Sequence, residues 1–584
     1  MCVFFALWSD ISTANNKKLS EAEAHQRLSN FIESQLIADE IHGVSLAIVH
    51  GQDIWYADGF GYSNAEEEIA ATADTQFRLG AITNLFTAIM ILKLESEKQL
   101  ILDDKVSHFF PELVFRTRDQ KQHEITIRQL LTHHSGLPLS VLKNSWAERP
   151  PSYTELFSKS SNVYLSQIPD TIYTYSNLGY ALLGYIIEKV TGLSYEKAFH
   201  KYIGQVLNMQ SSGISSAEQN IQNLATMYKK QVEKKPLFPR DLPSLGIYST
   251  ANDMALLLKN MNSILNNKSG LIPTSQLQKM MRIQNIHVAL DLGKKLGLGW
   301  MVSGMGVENA GPVVWRAGAS MYHRSRIAYL PDKKIGVIVM ANDSSAWESV
   351  EKISETALII ALQSIYGIQQ PEVVKQDKQV ASYGVSDEFA DYYNSFLGYI
   401  SVDNKPESVT TEVLGWSFNI KPDGTGWYTL EYDLLGFIPI NISWITDIKL
   451  KPARISGQRV VIVLYKGTQH LFASYFDKTL ASKQWQQRVG EYVIANPDSL
   501  TNEMEIEEGE LVIEDGYLFF LYELPMFIGM ELKVPLKIIN NEMAVIPGLG
   551  TALNETVSVK NAKGDEVLEY SGFEMEKNKS KGFF

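Results

Sequence analysis

From Ser176 to Gly192 the chain reads SNLGYALLGYIIEKVTG. Apolar residues recur there at helical spacing, behind a polar cap and ahead of a glycine, and this predicts a helix. Ala346 to Gly367 (AWESVEKISETALIIALQSIYG) predicts another. Between such stretches the period changes to that of strands. HGVSLAIVHGQDIWYADGFGY (His42 to Tyr62) and VVWRAGASMYHRSRIAYLPDKKIGVIVMAND (Val313 to Asp343) read as extended segments. The turn PDKK joins two apolar runs in the latter, which predicts adjacent antiparallel strands under the helix that follows. The expected fold up to about Ile368 is a mixed α/β (α+β) domain, an antiparallel sheet flanked by helices.

The pattern breaks after that point. Residues 369–386 (QQPEVVKQDKQVASYGVS) are polar and read as a linker. Residues 387–483 and 485–576 are short alternating segments separated by turns such as PDGTG, ISGQ, IEDG and NAKGDE. Each has the size of a small barrel or sandwich, so two all-β modules are expected, with 577–584 as a tail. At the other end, 1–27 is set apart as an N-terminal segment. Its apolar run Cys2 to Trp8 is too short to span a membrane; a trimmed signal peptide, an amphipathic end and a packed strand are all compatible with it.

Composition narrows the function classes. With 584 residues, 45% hydrophobic and 20% charged, the chain is globular and long enough for several cores. A net charge of -13 without a basic run argues against a nucleic-acid partner. The single cysteine, Cys2, leaves no intramolecular disulfide and no thiolate metal site. No further run approaches the length of a membrane span.

The candidate chemistry starts in FRLGAITNLFTAIMILKLESEKQL, Phe77 to Leu100. This predicts a central helix, apolar on nearly every face, with Ala81 and Asn84 on one face of its first turn. Free backbone N–H groups at such an end favour a developing oxyanion. Alone, Ala-x-x-Asn carries almost no specificity, and an ordinary core helix accounts for it.

Its companions are LLTHHSGLP (Leu130 to Pro138), YTYSNLGYALLGYIIEKVTG (Tyr173 to Gly192), GIYSTANDMALLL (Gly246 to Leu258), LGLGW (Leu296 to Trp300) and WRAGASMYHRSRIAYLPDKKIGVIVMAN (Trp315 to Asn342). In this order they resemble the serine β-lactamase and penicillin-binding-protein-like family, in the branch with class C β-lactamases, D-aminopeptidases and esterases. The resemblance spans roughly Leu28 to Ile368, and the β modules resemble lipocalin-like C-terminal domains of some members. It implies that the Ser-x-x-Lys motif falls on Ala81 and Asn84, where both functional side chains are missing. The Tyr-x-Asn motif falls on Tyr175 and Asn177, and the third motif on Arg316, Ala317 and Gly318. The implied oxyanion donors are the backbone N–H groups of Ala81 and Ala319, with Gly318 and Ser320 lining the ligand site. The resemblance also favours an exported protein; no cofactor is expected, and no metal, since no second cluster joins His133 and His134 as ligands.

A methyl group cannot attack a carbonyl, and an amide has no useful basicity near neutral pH, so no acyl-enzyme forms at position 81. Arg316 is no acid, yet it is a two-pronged clamp for a carboxylate. Ser135, Ser176 and Ser320 are conceivable replacement nucleophiles without an evident base nearby in sequence. Tyr175 and Asn177 have a plainer reading as a helix cap and first turn, His133 and His134 as packing in a loop beside the cleft, and Thr250 to Asp253 as a capping box. The expected function is a diverged hydrolase homologue that binds a peptide-like or carboxylate ligand. The alternatives are a non-covalent enzyme using Tyr175, Asn177, Arg316 and the backbone donors for cyclisation, isomerisation or hydrolysis, and a hydrolase inactivated by engineering.

Overall fold

A computed structural model describes residues 18–578, apart from 119–120, 159–162, 218–220, 372–384, 406–407, 435–437, 441–447, 466, 524–530 and 563. The apolar run Cys2 to Trp8 and most of the expected linker therefore lie outside the described residues. The first domain is built on a six-stranded antiparallel sheet in the order Val314–Ala319, Arg324–Leu330, Ile335–Ala341, Gly43–His50, Asp53–Asn64, Ile69–Ala70. Both faces are covered, which is why Ile335–Ala341 is apolar throughout instead of alternating with polar residues. Val44, Leu46, Ile48, Val337 and Val339 point to one core with helices Glu21–Ala38 and Trp347–Tyr366. Ala47, Val49, Ile338 and Met340 point to the other, with Thr83–Ser96, Asn177–Thr191 and Ala251–Leu265.

The helices stop and start where local chemistry says they should. Ser176 accepts the N–H of Gly179 at the start of Asn177–Thr191, and Gly192 ends it at φ 68. Thr250 caps Ala251–Leu265 through the N–H of Asp253. Asp253 does not complete a capping box: its carboxylate takes the N–H of Ser211 and the hydroxyl of Ser212. The expected helix start at Ala81 is also modified. Phe77–Arg78 is a strand, Gly80–Ile82 a 3-10 turn, and the α-helix runs Thr83–Ser96.

Two closed eight-stranded β-barrels follow. In the first, Lys449–Ile455 pairs with Gln458–Tyr465 on one side and with Tyr428–Leu434 on the other, which closes the ring. The second runs from Gly490–Ile494 to Phe573–Lys577, and these two strands pair. Helix Lys483–Gln487 buries Trp485 in that barrel's core, where its indole N–H donates to Asn540 O at 2.8 Å. Both barrels pack on the first domain. Ile172, Leu290 and Leu292 form a cluster with Ala453, Ile455, Val460 and Ile462 of the first barrel. From the second, Asp498 accepts the N–H of Asn144 at 2.6 Å, and Thr556 Oγ1 accepts from Arg118 at 2.8 Å.

Candidate active site

Two glycines bring the turn before the central helix against the edge strand. Gly80 sits at φ +55, and a Cβ there would lie 2.2 Å from Ala319 C and O. A Cβ on Gly318 would lie 2.0 Å from Leu79 O. Neither space admits a side chain, so backbone meets backbone and Ala81 comes beside Ala319. This is the arrangement in which two main-chain N–H groups can face one oxygen.

Arg316, on the same strand, is 5% exposed. Its Nε donates to Ala81 O at 3.3 Å, and its Cζ lies 5.4 Å from the centroid of the Tyr175 ring. Only one orientation of the buried Asn84 amide satisfies its neighbours. Ser244 Oγ has one proton and gives it to Asn177 Oδ1 at 2.8 Å. Asn84 Nδ2 therefore faces Ser244, donating to its O at 3.0 Å and its Oγ at 3.1 Å, while Asn84 Oδ1 accepts from Arg316 Nη2. Donors and acceptors then run one way, from Arg316 through Asn84 and Ser244 to Asn177. The guanidinium reaches in from the strand to the side chain at position 84, so a cation is present beside it although residue 84 is neutral.

The tyrosine side is held by a pair of histidines. His133 has φ 58, a left-handed conformation that seldom suits a ring-bearing residue. Its Nδ1 accepts the N–H of Ser176 at 3.1 Å, and its ring packs 4.5 Å from that of Tyr175 and 4.9 Å from that of Tyr180. With Nδ1 an acceptor, the neutral ring carries its proton on Nε2. The 3.3 Å approach of Arg316 Nη2 to Nε2 is then a contact between two hydrogen-bearing nitrogens. Burial, then the Arg316 charge, hold the His133 pKa well below its ordinary value. His134 Nε2 lies 2.8 Å from Asp291 Oδ2, and Asp291 Oδ1 accepts the N–H of Tyr173 at 2.7 Å. Asn285 donates to the same carboxylate. Beside it Lys294 Nζ lies 4.2 Å from the Tyr173 ring centroid, and burial lowers its pKa against the pull of Asp291.

The structure therefore gathers Ala81, Asn84, Tyr175, Asn177, Arg316 and Ala319 at one place. Asn177 is also the first residue of its helix, and Ser176 is the cap. Ser320 is 6% exposed and its Oγ accepts the N–H of His323 at 3.0 Å, which ties it to the turn. The hydroxyls of Ser135 and Ser176 meet Leu137 N–H at 3.4 Å and Pro138 O at 2.6 Å, and among the described residues neither is hydrogen-bonded to a basic side chain. Among the described residues no cluster of His, Cys, Asp and Glu could hold a metal ion. Sequence reasoning missed Ser244, Lys294 and the positioning role of His133. Nothing in the segment around Ser244 or Lys294 marks them, since each meets the site only through the fold.

A further missed feature comes from the second barrel. Its loop from Pro547 to Asn554 lies along the segment that leads into Tyr175. Tyr175 N–H donates to Thr551 Oγ1 at 2.9 Å, Gln167 Nε2 to Gly548 O at 3.0 Å, and Leu549 joins the cluster around Ile172.

The sequence profile of the family described as Beta-lactamase matches residues 28–360. Protein flp of Staphylococcus aureus (strain NCTC 8325 / PS 47) is 26% identical over 339 residues, 57% of this chain. The match spans 66% of flp's own length. Beta-lactamase-like protein 4 of Dictyostelium discoideum is 26% identical over 275 residues, 44% of this chain and 48% of that protein. Among solved structures, the octameric penicillin-binding protein homologue from Pyrococcus abyssi aligns with TM-score 0.51 at 24% identity, covering 76% of this chain and 99% of that one. SurE aligns with TM-score 0.56 at 16% identity, covering 78% and 100%. At these identities the structures speak for the fold alone. With the family profile extending over more than half of its length, the chain belongs to the β-lactamase family.

Proposed function

We propose that the protein is a family member without the Ser/Lys nucleophile pair, whose retained cleft binds a peptide-like ligand through a carboxylate. The observation that carries this reading is Arg316. Its guanidinium is buried in the site, and no carboxylate lies within ion-pair distance of it among the described residues. A buried cation without a counter-ion is costly, and a ligand carboxylate would offset that cost. Lys294 adds a second cation near Tyr173, while the nearby carboxylate of Asp291 is already taken by His134, Asn285 and Tyr173. The paired backbone at Ala81 and Ala319 would then receive a carbonyl or carboxylate oxygen, with Asn177 and Tyr175 as flanking polar contacts.

The test compares a short peptide bearing a free C-terminal carboxylate with its C-terminal amide by calorimetry. The acid should bind more tightly, and Arg316→Gln should remove most of the difference, a loss of about 1.5–3 kcal/mol for a charged hydrogen bond. Equal binding of acid and amide would overturn the carboxylate assignment. Tyr175→Phe should cost about 1 kcal/mol of binding, with no turnover by either form. Turnover that falls roughly 100-fold in Tyr175→Phe would instead establish the non-covalent enzyme, whose proton donor that residue would be. A fluorophosphonate or a penicillin should leave the protein at its unmodified mass, since position 81 has no nucleophile. A stoichiometric adduct mapped to Ser244 or another serine would refute the absence of covalent chemistry.

A further inference from the structure

Burial alternates along the segment that enters the helix at Asn177. Ile172, Thr174 and Ser176 are buried, whereas Tyr173, Tyr175 and Asn177 are half-buried, so these three face the same side. The His133 ring packs against both tyrosines, 5.6 Å from Tyr173 and 4.5 Å from Tyr175. Each tyrosine also carries a cation. Arg316 Cζ lies 5.4 Å from the centroid of Tyr175, and Lys294 Nζ lies 4.2 Å from that of Tyr173.

The two cations differ in what they bond to. Arg316 has Ala81 O and Asn84 Oδ1 as acceptors, whereas Lys294 Nζ has no hydrogen bond and no ion pair among the described residues. A ring face holds an ammonium but gives its three protons no acceptor. Asp291 acts on Lys294 from beyond ion-pair distance, with its oxygens already held by His134, Asn285 and the N–H of Tyr173. The Tyr173 hydroxyl is without a partner too, and burial raises its pKa, so it keeps its proton and can donate. Both side chains are half-buried and both polar atoms remain open to solvent.

We infer that Lys294 and the Tyr173 hydroxyl form a second anion subsite of the cleft, and that the ligand is an acidic peptide. Its terminal carboxylate meets Arg316, and the carboxylate of an acidic side chain within two residues of that end meets Lys294; the inference rests on the carboxylate reading of Arg316. An ammonium and a phenol supply one donor to each oxygen of a single carboxylate, and one of the two bonds is charge-assisted. A carboxylate there also favours the charged form of Lys294, against the burial that lowers its pKa. A neutral or basic ligand side chain would give the ammonium no such partner.

The test is calorimetry on the full chain with Ac-Ala-Glu-Ala and Ac-Glu-Ala-Ala and their glutamine counterparts, each as the free acid and as the C-terminal amide. The better glutamate acid should bind about tenfold more tightly than its glutamine counterpart, the scale of one charged hydrogen bond. Lys294→Met should abolish that ratio while the acid-over-amide ratio set by Arg316 persists, and Lys294→Arg should keep both. Glutamate and glutamine peptides that bind alike at both positions in the unaltered protein would overturn the subsite, and this comparison needs no variant that has to fold. A ratio that survives Lys294→Met would overturn it as well. Acids and amides that bind alike while the glutamate preference holds would overturn the reading of Arg316 and leave the subsite standing. Absence of binding by every peptide would overturn both.

Discussion

Writing Ser at position 81 and Lys at position 84 is expected to leave the protein without esterase activity and to destabilise it by about 3 kcal/mol or more. The reason is Arg316. Its guanidinium bonds to the side chain at position 84, which is 0% exposed. A lysine there would place a second cation against the first, out of reach of water, and would relieve the repulsion only by giving up its proton or by pushing Arg316 aside. Adding Arg316→His to the pair should recover the stability, since the ring is shorter and can be neutral. Ester hydrolysis should then appear over backbone donors that depend on Gly80 and Gly318 rather than on any side chain. Urea unfolding and turnover of a p-nitrophenyl ester, compared across the double and triple variants, decide the matter. A double variant as active and as stable as the triple one would mean that Arg316 does not take the amine's place.

Acid should weaken the fold well before the carboxylates protonate. His133 and His323 are buried, and burial followed by a neighbouring arginine lowers both pKa values, His323 to about 3. In the unfolded chain both return to about 6.5. Below that value the unfolded state binds protons that the folded state refuses, so stability is complete above pH 6.5 and falls as the pH drops toward 3. The His323 ring should remove about 2 kcal/mol between pH 7 and pH 5, and the His133 ring acts in the same direction. Urea midpoints at the two pH values measure this. His323→Asn should remove that ring's share of the loss, because an amide oxygen can still accept the N–H of Arg78 that His323 Nδ1 accepts at 3.0 Å. Stability that is flat from pH 7 to pH 5 would show that the rings protonate in place.

Much of the first domain was legible because its signals are local. The cap at Ser176, the terminating glycines and the PDKK turn act within a few residues, and the motif order gave the family. The alternation in the C-terminal half separated two β modules but not their closure, which depends on strands such as Tyr428–Leu434 and Lys449–Ile455 finding one another. The site was legible where a motif marked it and opaque elsewhere. Ser244 contacts Asn177 across 67 positions and Arg316 meets His133 across 183. Their segments read as ordinary chain. His133 was read as packing in a loop, since no spacing rule shows that its ring lies against Tyr175 and accepts the N–H of Ser176. The reduced capping at Asp253 has the same origin, in partners supplied by the residues at 211 and 212.

The bond between Tyr175 N–H and Thr551 has a temporal side, because the partners are 376 positions apart. At about 5–20 residues per second, a ribosome emits Thr551 some twenty seconds to more than a minute after Tyr175. The first domain, which carries its own two cores, has that interval in which to fold with the segment beside Tyr175 still bare. In the finished chain that segment is joined by the loop of the second barrel that carries Thr551.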